Sequence, residues 1–103
     1  MSWYLSGVGS TYHSLHYHWV CSTKQRRPFI QVDWRPRLHE YLGGTICGLG
    51  GVLLKIGGVA DHVHAIIGLK PALCLSDFVR ELKKASSVWA ATHHEQQFQW
   101  QEG

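Results

Sequence analysis

The sequence predicts an α+β sandwich, an antiparallel sheet with two helices on one face, and three observations carry that prediction. Some stretches alternate at the two-residue period of a strand, others repeat at the three-to-four-residue period of a helix, and glycine or proline marks most junctions between them. At 103 residues there is room for one core, so residues 1–103 are expected to form a single domain. A composition 45% hydrophobic and 17% charged is too apolar for intrinsic disorder.

After a Gly/Ser-rich lead over residues 6–10, residues 11–23 alternate. Leu15, Tyr17, Trp19 and Cys21 share one face and Ser14, His16, His18 and Val20 the other, which predicts a long first strand. The basic cluster Lys24, Arg26, Arg27 and then Pro28 end it. From Asp33 the period changes: Leu38, Tyr41, Leu42, Ile46 and Leu49 fall on one side of a helix, with Asp33 expected as its cap, Pro36 in its first turn and Gly48, Gly50 and Gly51 at its end.

Residues 52–56 and 62–69 are β-prone runs, expected to form a hairpin that turns at Gly57-Gly58. Lys70-Pro71 breaks the chain. Leu75, Phe78, Val79, Leu82, Ala85 and Trp89 then share the face of a second helix, with Ser76 as the expected cap, Asp77 in its first turn, and Arg80, Lys83 and Lys84 away from that face. Residues 98–101 alternate again and predict a short last strand. The resulting order, β-α-β-β-α-β, is that of a ferredoxin-like (RRM-like) sandwich.

Composition narrows function before any motif does. No apolar run approaches the ~20 residues of a membrane span, and no basic stretch followed by an apolar block opens the chain, so a cytoplasmic protein is expected. Cys21, Cys47 and Cys74 lack metal-site spacing and read as reduced core residues. A formal charge of +3 favours an anionic partner, and eight histidines are the outlier.

The most informative tripeptide is His62-Val63-His64. On a strand, residues two apart point to the same face with Cα atoms ~6.5 Å apart, so both imidazoles can converge on one cation while Val63 packs behind them. Asp61 adds a carboxylate at the same rim. Among eight histidines the triplet alone is a weak signal, and its surroundings raise it.

Those surroundings are Tyr17-His18-Trp19-Val20-Cys21-Ser22-Thr23-Lys24 with Arg26-Arg27-Pro28, then Gly57-Gly58-Val59-Ala60-Asp61-His62-Val63-His64, then Leu75-Ser76-Asp77 with Leu82-Lys83, and finally Trp100-Gln101-Glu102-Gly103. As an ordered set over nearly the whole chain they resemble the small HUH single-tyrosine transposases, including the REP-associated tyrosine transposases. The resemblance implies a ferredoxin-like fold, a homodimer, binding of single-stranded DNA hairpins, and strand cleavage through a 5′-phosphotyrosine. It also implies that His62 and His64 are ligands of a divalent ion, magnesium or manganese, and imidazole donors lean towards the latter.

In that family the nucleophilic tyrosine sits on a helix after the Trp-Gln-x-Gly stretch, with a further metal ligand one turn later. None of Tyr4, Tyr12, Tyr17 and Tyr41 occupies that position, so no catalytic residue is assigned. The expectation is a remnant or fragment that keeps the scaffold, binds metal weakly through His62 and His64 with Asp61 as a candidate third donor, and does not cleave DNA unaided. His16 or His18 is the candidate replacement for the missing ligand. Lys24, Arg26, Arg27, Arg80, Lys83 and Lys84 are the candidate phosphate contacts, and Trp34 and Trp100 the candidate stacking surfaces. The alternative is a ferredoxin-like nucleic-acid-binding module without chemistry.

Overall fold

A computed structural model describes residues 3–10, for the backbone alone, and residues 15–102 in full. The elements are β1 (Trp3–Ser10), β2 (Leu15–Ser22), a short 3-10 turn (Lys24–Arg26), α1 (Arg35–Gly48), β3 (Val52–Val59), β4 (His62–Leu69) and α2 (Leu75–His93). The strands form one antiparallel sheet in the order β1-β2-β4-β3.

The two-residue period does what it predicts at the centre of this sheet. Tyr17, Trp19 and Cys21 of β2 stand opposite Ile67, Ala65 and Val63 of β4, and this face packs under both helices. Leu38, Leu42 and Ile46 of α1 and Phe78, Val79, Leu82 and Ala90 of α2 close the same buried cluster. The α+β sandwich with two helices on one face is thus the observed fold.

Its two ends depart from expectation. The Gly/Ser-rich lead is β1, pairing with β2 through Ser6 opposite His18 and Gly7 opposite Tyr17, with a bulge before Gly9. Backbone groups along the edge of β2 need partners whatever the side chains on offer, so weak strand propensity does not prevent pairing there. Residues 11–14, the start of the predicted first strand, lie outside the described residues. Residues 98–101 form no strand: one isolated bridge joins Thr23 to Trp100. Gln101 N donates to Ser22 O and Lys24 N to Gln99 O just past the point where β1 begins, opposite Cys21, so β1 holds the position beside β2 that a terminal strand takes in the β-α-β-β-α-β order.

Phe98 and Trp100 instead plug the core, at 2% and 6% exposure. Trp100 Nε1 donates to Ser86 Oγ at 2.9 Å, and Ser86 Oγ donates to Leu82 O at 2.7 Å. Trp34, the other expected stacking surface, is 5% exposed and lies parallel to His94 with ring centroids 4.8 Å apart.

Neither expected helix cap forms. Trp34 takes the α1 cap position and Cys74 that of α2, and neither side chain caps a backbone N–H of its helix; Arg35 N donates instead to Gln31 O. Cys21 is buried, and desolvation pushes its thiol up to about 12. Cys47 and Cys74 are exposed rather than core residues.

The β3–β4 hairpin turns at Ala60 and Asp61, and both glycines lie inside β3. They serve close approach: a Cβ on Gly58 would stand 2.5 Å from His62 O.

Candidate metal and nucleic-acid site

β4 is a central strand, and its alternation sends Val63 into the core, at 0% exposure, while His62 and His64 stand half-buried on the face opposite the helices. Their ring centroids are 6.2 Å apart and their planes 35° apart. Metal–nitrogen bonds of ~2.1 Å place two imidazoles on one ion with centroids roughly 5 Å apart, a gap that small side-chain rotations close.

Each ring is held by a different device. Asp61 Oδ1 lies 2.9 Å from His62 Nδ1, and Arg26 Nε donates to Asp61 Oδ2 at 3.2 Å. The hydrogen bond from His62, reinforced by Arg26 and opposed by burial, holds the Asp61 carboxyl below its ordinary range. An ionised carboxylate only accepts, so His62 Nδ1 carries the proton and the lone pair falls on Nε2. With one oxygen on His62 and the other on Arg26, Asp61 orients the His62 ring.

His64 lies against the bare backbone of Gly57, where a Cβ would come 3.0 Å from its Cε1 and 3.1 Å from its Nε2. Gly57, expected in a turn from the Gly57-Gly58 pair, lies instead within β3, and its position opposite His64 in the β3–β4 register places it beside that ring.

β2 does lie beside β4, as required for its histidines to approach. The His18 ring meets His64 edge-on with centroids 6.1 Å apart, whereas His16 pairs with Gly68, farther along the strand. Among the described residues no three His, Cys, Asp or Glu side chains gather where they could hold a metal ion. The donor set present is two imidazoles on an accessible face, which suits part of the shell of a divalent cation and leaves the rest to water or phosphate oxygens.

The two basic clusters are placed differently. Lys24, Arg26 and Arg27 sit on the turn after β2, where Arg26 reaches Asp61. Arg80, Lys83 and Lys84 are on α2, across the sheet from the histidine pair; Arg80 pairs with Asp77 at 2.9 Å, and Lys83 Nζ donates to Gln101 O at 3.0 Å. Lys84 is exposed.

Neither tyrosine with a described side chain faces the pair. Tyr17 packs on the helix-covered core, and Tyr41 on α1 stacks on Trp89 and donates to Ala85 O. The side chains of Tyr4 and Tyr12 lie outside the described residues.

A family model described as IS200-like transposase matches residues 11–103. The crystal structure of a protein from Deinococcus radiodurans, described as a candidate transposase, is similar with a TM-score of 0.78 and 27% identity, over 88% of this chain and 69% of that one. No curated protein matches the sequence. No helix among the described residues is long and apolar enough to cross a membrane.

Proposed function

Because the chain belongs to the IS200-like transposase family, we propose that it acts in DNA transposition by binding single-stranded DNA hairpins and presenting a scissile phosphate to His62 and His64. The observation that carries this reading is the pair of imidazoles on one open sheet face, one fixed by Asp61 and Arg26 and the other seated on Gly57.

The residues divide the work. Asp61 accepts the His62 Nδ1 proton and turns Nε2 outward, Gly57 leaves room for the His64 ring, and Arg26 holds the carboxylate in place. A divalent ion on the two imidazoles, manganese or magnesium, would neutralise charge on the non-bridging phosphate oxygens. With two protein ligands it binds weakly. In the family a tyrosine oxygen attacks phosphorus, the bond to the 3′ oxygen breaks, and a 5′-phosphotyrosine stores the linkage for rejoining. Neither Tyr17 nor Tyr41 takes that role from where it sits, and none of the four tyrosines occupies the family position, so this chain binds the phosphate and does not form that link unaided.

Homodimer formation is part of the same reading. β3 is an outer strand of the sheet and exposes Val52, Leu54 and Val59, a surface that suits a second copy. The lack of a described tyrosine or third ligand at the pair favours, as the second reading, a binding module that performs no chemistry.

The test is a titration with labelled hairpin DNA at several salt concentrations, with and without Mn²⁺, followed by denaturing electrophoresis. Salt-dependent binding, strengthened by Mn²⁺ only while His62 and His64 are present, and no covalent adduct are expected. Failure to bind hairpins sinks the reading; an adduct on Tyr17 or Tyr41 sinks the assignment of the nucleophile.

A further inference from the structure

The turn that follows β2 is built from more constraints than a strand end requires. Gln25 and Arg26 both adopt φ of 56°, a left-handed conformation that is strained for a non-glycine residue. Three bonds hold them there: buried Thr23 Oγ1 donates to Arg27 O at 2.7 Å, Gln25 N donates to Gln101 Oε1 at 2.8 Å, and Lys24 N donates to Gln99 O at 2.9 Å. The result points successive side chains in different directions. Arg26 reaches Asp61, while Lys24, Gln25 and Arg27 line a cavity of about 370 Å³ whose other walls are Phe29, Gln97 and Gln99.

We propose that this cavity is a pocket for one unpaired nucleotide of the bound DNA strand. Its walls supply the three kinds of group a nucleotide needs. Lys24 and Arg27 have no carboxylate partner among the described residues, unlike Arg80, so their charge is available to a phosphate. Half-buried Phe29, which packs on Phe98, contributes an aromatic ring to the wall, the kind of group on which bases stack. Gln97 and Gln99 each bring to the wall an amide able both to donate and to accept, the bidentate pattern that matches the N6 and N7 edge of adenine. The volume falls at the small end of the ~300–1000 Å³ usual for ligand pockets, enough for a nucleotide and too little for a base pair. The position fits a strand already at the histidine pair, because Arg26 of the same turn bonds the residue that orients His62.

This inference rests on the reading of the chain as a single-stranded DNA binder, and the experiment separates the two. Fluorescein-labelled dodecamers of dA, dC and dT, and a dodecamer of abasic sites, are titrated against the wild-type chain, the exposed double variant Gln97→Ala/Gln99→Ala, and Arg27→Gln. The wild type should bind dA most tightly and the abasic strand about tenfold more weakly. The glutamine variant should lose the differences among bases while keeping wild-type affinity for the abasic strand. Arg27→Gln should weaken all four. Equal wild-type affinity for base-bearing and abasic strands, or a glutamine variant that keeps the wild-type base order, overturns the pocket and leaves the DNA-binding reading intact. No salt-dependent binding of any strand overturns both.

Discussion

The two faces of the central strands differ in what they ask of a residue. On the helix-covered face Trp19, Cys21, Val63 and Ala65 are at most 1% exposed and gain their stability from apolar area removed from water, where the exact partner matters less than volume. On the open face His62, His64 and His18 are half-buried, add little to packing, and are positioned by single contacts such as Asp61 on His62 and bare Gly57 under His64. One strand, β4, therefore carries core packing and the proposed site on alternate residues, and substitutions one position apart should have unrelated consequences.

The sharpest way to break that contrast is to compare one residue from each face. Trp19→Ala should cost ~3–5 kcal/mol and leave little folded protein, while His64→Ala should shift stability by less than ~0.5 kcal/mol and remove metal binding. Thermal unfolding beside Mn²⁺ titration checks both, and equal destabilisation by the two would erase the distinction. Next in size are the positioning contacts. Asp61→Asn and Gly57→Ala should each weaken Mn²⁺ binding roughly tenfold with the fold retained, since changes behind a ligand typically cost 10- to 100-fold. Wild-type affinity in Gly57→Ala would show that the His64 ring has freedom the structure denies it.

The smallest effect concerns the thiols. With Cys21 pushed up to about 12 by desolvation and the other two cysteines exposed, alkylation near pH 8 should modify Cys47 and Cys74 promptly. Cys21 should react only when the domain opens, at the rate of global unfolding. Prompt modification of all three in native protein would mean that the covered face is not sealed.

How much of this was legible in the sequence follows the same division. The covered face was readable because burial imposes a period: Trp19, Cys21, Leu38, Leu42, Phe78 and Leu82 were placed by spacing alone. His62 and His64 were readable because a two-residue spacing fixes a common face. What escaped depends on contacts far apart in the chain. β1 forms from a glycine- and serine-rich stretch because the edge of β2 offers it partners, and Phe98 and Trp100 turn inward because that edge is already occupied. Gly57-Gly58 looked like a turn because glycine marks both turns and close approaches, and only the register with His64 distinguishes them. The role of Asp61 as orienter needs Arg26, 35 residues away, to claim its second oxygen.

The most direct measurement is to add Mn²⁺ stepwise while recording the imidazole resonances of the eight histidines by NMR. Paramagnetic broadening should strike His62 and His64 first, with His18 following as the nearest neighbour, and should vanish from this region in His62→Ala/His64→Ala. Broadening that begins elsewhere, for instance at His93 and His94 beyond the sheet, or that persists at His18 in the double variant, would contradict the placement of the ion on the open face of β4.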